Sequence, residues 1–150
     1  MEIGMGILRV GSHYGPELLA NPVFASGLTG WSVLGAGVTP TVVAGVCTLT
    51  EDGVDGISAR IYQSFATVVG ASYTVSVQIN APINRGQLAI NTTSSISGAI
   101  YASGPQGNGA LKTITTSFVA TASTTFMIID VVNTPATTMT IQNCSVRRRT

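Results

Sequence analysis

The side chains that could perform acid–base chemistry are few and scattered along this sequence. The single histidine, His13, lies in a glycine-rich N-terminal stretch, which is a poor place to hold a catalytic group rigidly. Asp130 stands alone in an otherwise apolar run, so we expect it to hydrogen-bond at a strand end or to lie at a subunit contact, and not to form a carboxylate pair. No GxSxG, P-loop or HExxH pattern is present. These observations argue against an enzyme.

The two cysteines, Cys47 and Cys144, are far apart in the sequence and form no CxxC pair for zinc or redox chemistry. Each lies in a strand-like run. We expect two buried thiols, with a disulfide that joins two strands as the alternative.

Charged residues are unusually scarce. They make up 9% of the 150 residues, whereas an ordinary soluble domain has about 25%. Thr, Ser, Asn and Gly take their place, and such a surface suits a protein that other molecules cover. The net charge of +1 gives no long-range attraction to nucleic acid or to acidic lipid.

The one basic run is Arg147-Arg148-Arg149 near the C-terminus. It is either a solvated tail or a contact with an acidic partner surface. No aromatic residues interleave with it, which argues against binding of single-stranded nucleic acid.

Residues 1–16 have the composition of an extended arm. Apolar side chains alternate with glycines there, and the candidate assembly residues are Ile3, Met5, Ile7, Leu8 and Val10. The arm would lie on a neighbouring subunit or on its own domain. The segment lacks the basic start of a secretion signal, and no apolar run reaches membrane-spanning length, so we expect synthesis in a cytoplasm without membrane insertion.

From residue 17 to residue 150 the pattern predicts one β domain. Residues 71–79 alternate strictly between apolar and polar side chains, as a half-buried strand does. Further strands are predicted at 57–65, 87–93, 111–120, 125–132 and 138–147, and one or two within 38–50. The run 126–129 is apolar on both faces, which favours a central strand. Turn residues separate the runs, and no helical stripe is present, so the sequence predicts an antiparallel β-sandwich.

Several segments resemble carbohydrate-binding-module-like jelly rolls of the galactose-binding superfamily. The similarity begins in the run from Glu17 to Phe24, which is followed by Gly30-Trp31. It continues in Gln63-Ser64-Phe65 and in residues 70–76, and it ends in residues 118–121 and 141–146. The resemblance covers residues 17–147 and implies a jelly roll in which Trp31 fills the core.

The resemblance also implies where a ligand would bind. Sugar-binding members present aromatic platforms, and here Tyr62 and Tyr101 remain as exposed candidates, with the amides of Gln63 and Gln78 nearby. For Tyr62 an ordinary cross-strand pair is the alternative.

Many domains of this type hold a structural calcium ion. Glu51, Asp52 and Asp55 are the nearest acidic cluster, but their spacing is not that of an EF-hand loop, and Asp-Gly pairs commonly form turns. We therefore expect a plain turn and no cofactor, with calcium as the alternative.

Two functions follow. The first is a non-enzymatic virion protein of a bacteriophage, made in the host cytoplasm, that decorates the capsid and contacts capsid or tail subunits or sister copies in an oligomer. The second is a carbohydrate-binding adhesion module, in which an aromatic platform carries the affinity for a surface glycan.

Overall fold

The computed structural model describes residues 13–35, 38–51, 58–132 and 137–150. Within these ranges the chain forms eleven β-strands: β1 (Tyr14–Glu17), β2 (Ser32–Leu34), β3 (Thr41–Val43), β4 (Val46–Glu51), β5 (Ala59–Ala66), β6 (Ser72–Asn80), β7 (Gly86–Asn91), β8 (Tyr101–Ala102), β9 (Leu111–Val119), β10 (Thr124–Val131) and β11 (Thr137–Arg149). No helix in the described residues has the length and apolar character needed to cross a membrane.

Two predicted groups lie outside the described residues. They are the arm residues Ile3, Met5, Ile7, Leu8 and Val10, and the acidic residues Asp52 and Asp55.

The strands form two antiparallel sheets that pack face to face. The first, here called the front sheet, has the order β3-β4-β11-β6-β9, with β1 paired to the free end of β11. The second, the back sheet, has the order β2-β5-β10-β7-β8. The predicted all-β sandwich is confirmed, and its arrangement is that of a jelly roll.

Alternating side chains from both sheets fill the core. On β6 the inward residues Tyr73, Val75, Val77 and Ile79 are at most 2% exposed. The run 126–129 belongs to β10, which is the central strand of the back sheet, as predicted from its two apolar faces. Burial on both sides is what such a strand requires.

The tryptophan fills the core at the entry to the sandwich. Trp31 is buried, its ring lies 5.3 Å from that of Phe24, and its indole Nε1 donates to the carbonyl oxygen of Asn21 at 3.2 Å. The predicted role of Trp31 is confirmed. Both cysteines are buried and free, which confirms the expectation of two thiols.

The strand β1 crosses the boundary predicted between arm and domain. Its residues pair with the end of β11, Tyr14 opposite Arg149 and Glu17 opposite Arg147. Residues 14–16, assigned to the arm by their sequence, therefore belong to the front sheet of the domain itself.

A β-bulge at Asn143 sets the direction of every side chain after it on β11. Between the pairs Gln142–Gln78 and Ser145–Ser76, β11 has two residues where β6 has one. Asn143 has a φ of 50°, a left-handed conformation that asparagine tolerates better than most residues. Because of this extra residue, Cys144 points into the core and Ser145 points outward.

Candidate functional site

The outer face of the front sheet is lined by hydroxyl and amide side chains. It is here called the polar face and consists of Ser72, Thr74, Ser76, Gln78 and Asn80 on β6, Thr113, Thr115, Ser117 and Val119 on β9, and Thr140, Gln142, Ser145, Arg147 and Arg149 on β11. These residues point outward because their neighbours along each strand face the core. The short Ser and Thr side chains leave a trough at the centre of the face.

The trough contains a shallow pocket of 260 Å³. Its lining residues are Tyr14, Thr74, Ser76, Thr115, Ser145 and Arg147. The register places Ser76 between Thr115 and Ser145, so three adjacent strands each contribute a hydroxyl to one row. Tyr14 is 45% exposed and adds an aromatic ring at the rim.

A second pocket of 300 Å³ adjoins the first along the same strands. It is lined by Ser72, Ser117, Phe118, Val119 and Arg149. From Ser72 to Gln78 the face extends for about 20 Å at the usual rise of a strand. Its shape is a long open groove, and no enclosed cavity is part of it.

Glu17 fixes the edge of the trough where β1 meets β11. Its Oε1 accepts from the backbone N–H of Val146 at 2.7 Å, and its Oε2 accepts from the hydroxyl of Ser145 at 2.6 Å. The Nε of Arg147 lies 3.5 Å from the same Oε2. Among the described residues no partner is found for the two terminal Nη atoms of Arg147, whose side chain is 51% exposed.

Gln78 lies on the polar face, in the row next to the first pocket. Its Oε1 accepts from the amides of Asn143 at 2.7 Å and Gln142 at 3.2 Å, and its Nε2 donates to the hydroxyl of Thr113 at 3.4 Å. These bonds join β11, β6 and the edge strand β9 and hold the amides in place. Of the predicted glycan residues, Gln78 is the one that the structure places beside the trough.

The back sheet presents a different outer face. Tyr62 points outward, as its position in the alternation predicted, but it is half-buried, and its ring lies 6.2 Å from that of Phe126 on the neighbouring strand. The cross-strand pair foreseen as the alternative for Tyr62 is therefore present. Ile128 also faces outward and yet is fully buried.

Residues 92–100 pack over part of this face. The amide Nδ2 of Asn91 donates to the carbonyl oxygens of Ser95 at 2.6 Å and Ser97 at 3.1 Å, and Arg60 reaches the carbonyl oxygen of Ser94 at 3.4 Å. The back sheet is consequently a poorer platform for a large ligand than the front sheet.

Gln63 and Tyr101 do not lie beside Tyr62 on the outer face of the back sheet. Gln63 faces the opposite side of β5 and is 6% exposed; its amide accepts from the backbone N–H of Ala20 and donates to the carbonyl oxygens of Ala20 at 3.0 Å and Gly30 at 2.8 Å. Tyr101 is paired with Ile90 and packs against the core. Gln63 is therefore turned away from Tyr62, since successive residues of a strand point to opposite faces, and Tyr101 packs toward the core from a different strand.

The basic run is divided by the same alternation. Arg147 lines the first pocket and Arg149 the second, whereas Arg148 is paired with the inward-facing Tyr73. Two of the three arginines thus belong to the polar face, and they are parts of a strand and not of a loose tail.

Asp130 lies near the end of β10, which is one of the two places expected for it, and its partner is the cation of Arg60. Its Oδ1 is 3.2 Å from the Nε of Arg60, and the residue is 2% exposed. Burial raises the pKa of Asp130 to about 6, although the Arg60 charge opposes the rise. A carboxyl group so enclosed has no access to a substrate. Among the described residues no group of three or more His, Cys, Asp or Glu is arranged to hold a metal ion.

The sequence reasoning missed Tyr14 and the hydroxyl row of the trough. Tyr14 was assigned to the arm, where its strand pairing could not be seen. The signal for the outward direction of Ser145 and Arg147 is the spacing of the core residues Ile141 and Cys144, which are three positions apart and not two. That spacing, together with an asparagine between them, indicates a bulge.

No protein-family model and no curated protein matches the sequence. Among solved structures, a CBM4 carbohydrate-binding module matches with a TM-score of 0.72 at 17% identity over 87% of this chain and 99% of that chain. TmCBM61, solved in complex with β-1,4-galactotriose, matches with a TM-score of 0.65 at 14% identity over 90% of this chain and 100% of that chain.

A third structure is the enzymatically active domain of tailspike protein 4 from bacteriophage CBA120. It matches with a TM-score of 0.69 at 12% identity over 88% of this chain and 21% of that chain. At these identities the similarity establishes the fold alone. The predicted resemblance to carbohydrate-binding-module jelly rolls is confirmed at that level.

Proposed function

We propose that this chain is a non-enzymatic carbohydrate-binding module that holds a polysaccharide against the polar face of the front sheet. The observation that carries the proposal is the open trough, which is lined by the ring of Tyr14, the guanidinium group of Arg147 and the hydroxyls of Ser76, Thr115 and Ser145. The fold that the chain shares with carbohydrate-binding modules supports the same function.

The chemistry of the trough fits that of a sugar chain. A pyranose ring offers apolar C–H groups on its faces and hydroxyls around its edge, so it contacts an aromatic ring and hydrogen-bonding groups together. Tyr14 supplies the ring, and the Ser and Thr hydroxyls both donate and accept. Because paired strands fix these groups, little freedom is lost when a ligand binds. An open groove suits a polymer that extends beyond the protein at both ends.

The experiment compares two tyrosines on opposite sheets. Affinity electrophoresis and calorimetry would measure binding to β-1,4-galactan, xylan and a polyuronate. Tyr14→Ala should weaken binding about tenfold, because an aromatic ring covered by a ligand contributes about 1.5 kcal/mol. Tyr62→Ala is the matched control and should leave the affinity unchanged, since Tyr62 lies on the back sheet.

Absence of binding to every polysaccharide would overturn the proposal. Loss of binding in Tyr62→Ala, with full binding in Tyr14→Ala, would place the site on the back sheet and would contradict the role of the polar face.

A second candidate is a structural role in a bacteriophage virion, such as decoration of the capsid exterior. The tailspike domain of similar fold favours it, and so does the low fraction of charged residues, 9% of the chain. Partners would be capsid or tail subunits and sister copies, and a virion protein that binds a surface glycan would combine both functions.

The virion role has its own test. Deletion of residues 1–12, which precede β1, should leave the domain folded and abolish its incorporation into particles. Normal incorporation of the truncated protein would refute docking through that segment.

A further inference from the structure

We infer that the ligand of the polar face is an acidic polysaccharide whose carboxylates are bound by Arg147 and Arg149. This inference rests on the proposed carbohydrate-binding function and names the class of its ligand.

The described acidic side chains are almost absent from the surface. Glu51 is 1% exposed and Asp130 is 2% exposed, so neither faces a ligand on the outside of the sandwich. Glu17, the remaining one, has both carboxylate oxygens occupied by donors from its own domain. Among the described residues the polar face therefore carries two arginines against one carboxylate, Glu17, which is bonded to its own domain.

Arg147 is held in a way that leaves its binding edge available. The contact between its Nε and Glu17 uses one side of the guanidinium group, and the described residues supply no partner for its Nη atoms. Glu17 is anchored in turn by Ser145 and Val146. A guanidinium group that is oriented and half-exposed binds a carboxylate through two parallel hydrogen bonds. The hydroxyl of Thr74 lines the same pocket, and that of Ser145, whose proton is donated to Glu17, can accept a hydrogen bond from a ligand there.

Arg149 supplies a second cation, in the adjoining pocket. It lies two residues farther along β11, which corresponds to about 7 Å, and it shares its pocket with Ser72 and Ser117. Two cations in consecutive pockets of one groove match a polymer that carries acidic groups at intervals along its chain. A neutral polysaccharide that covers the groove would desolvate Arg149 and the free edge of Arg147 without offering either a carboxylate, which is unfavourable.

The bulge at Asn143 provides a matched control within the same run of arginines. It directs Arg147 and Arg149 to the polar face and leaves Arg148 on the side of Tyr73, outside both pockets. Arg147→Gln and Arg148→Gln thus remove the same charge from neighbouring positions, and only the first removes a group that lines the trough.

The experiment measures calorimetric affinity for polygalacturonate and for the same polymer after full methyl esterification, which removes the charge and retains the sugar backbone. The wild-type protein should bind the acid form at least tenfold more tightly, and added salt should reduce that preference. Arg147→Gln should weaken binding of the acid form by about 10- to 100-fold, the range for hydrogen bonds to charged groups. Arg147→Lys should recover only part of the loss, and Arg148→Gln should change the affinity less than about threefold.

The outcomes separate this inference from the function on which it rests. Equal binding of the acid and esterified polymers would overturn the acidic ligand and leave the carbohydrate-binding function intact. Equal losses in Arg147→Gln and Arg148→Gln would show unspecific charge attraction and would also overturn the inference. Failure to bind any polysaccharide, charged or neutral, would overturn both the acidic ligand and the carbohydrate-binding function. Thermal unfolding of each variant verifies that the compared proteins are folded.

Discussion

The contacts of Gln63 predict a large effect on stability and a small one on ligand binding. Its buried amide makes three hydrogen bonds to backbone atoms of Ala20 and Gly30 and so fixes the segment between β1 and β2 to the back sheet. The substitution Gln63→Leu keeps the approximate size of the side chain and removes all three bonds. Each is worth about 1 kcal/mol net, which gives a loss of about 3 kcal/mol in the free energy of unfolding.

The assay is urea and thermal unfolding, with Ser64→Ala as the control. Ser64 is the next residue on β5 and is exposed, so its substitution should change stability by less than about 0.5 kcal/mol. For a chain of this size a loss of 3 kcal/mol corresponds to a decrease in Tm of about 6–12 °C. Unchanged stability in Gln63→Leu would refute the structural role, as would loss of polysaccharide binding by a variant that remains fully folded.

Three further predictions concern buried or strained residues. Because the pKa of Asp130 is raised to about 6 from 3.8, its contribution to stability is complete below pH 3.8 and disappears as the pH rises through 6. The free energy of unfolding should therefore fall by about 3 kcal/mol over that range; a curve from urea titrations that is flat or rising there would contradict it. Burial raises the pKa of Cys47 to about 11 and raises that of Cys144 as well, so neither thiol should react with a thiol reagent until the protein unfolds, and rapid labelling of the native state would disprove this. Asn143→Val should cost about 1–2 kcal/mol more than Asn143→Gly, since both variants lose the bond to Gln78 and the left-handed backbone penalises only the branched side chain; equal melting temperatures of the two variants would show that the bulge is unstrained.

Much of the fold follows from periodicity. The alternation in 71–79 specified β6 and its buried face within one residue, and the doubly apolar run 126–129 specified the central strand of the back sheet. Local pattern is sufficient there because burial alone decides which side chains point inward. The burial of Trp31 in the core was predicted from the family resemblance, and the structure confirms it.

The site was harder to predict because it depends on pairing between distant segments. Tyr14 reaches the trough through the pairing of β1 with β11, which joins the two ends of the described chain. Arg147 faces outward because of one extra residue at position 143, and strict alternation from Ile141 would have turned it inward. Gln63 was grouped with Tyr62 by sequence proximity, although adjacent residues of a strand belong to opposite faces.

The surface that is poor in charged residues can be located in the structure. Ser and Thr residues are concentrated on the outer face of β6 and β9, where they form the floor of the trough. The sequence had suggested a surface that other molecules cover. The proposed polysaccharide would cover this face. In a virion, a neighbouring protein subunit would cover the same face or the surface beside it.

The most direct test is a titration of the isotopically labelled protein with an oligosaccharide of the preferred polymer, followed by amide NMR shifts. Binding at the polar face should move the signals of Ser76, Thr115 and Ser145 together, with saturation at one affinity, and should leave Tyr62 and Phe126 on the back sheet unchanged. Shifts confined to the back sheet, or to the turns at the ends of the sandwich, would contradict the account.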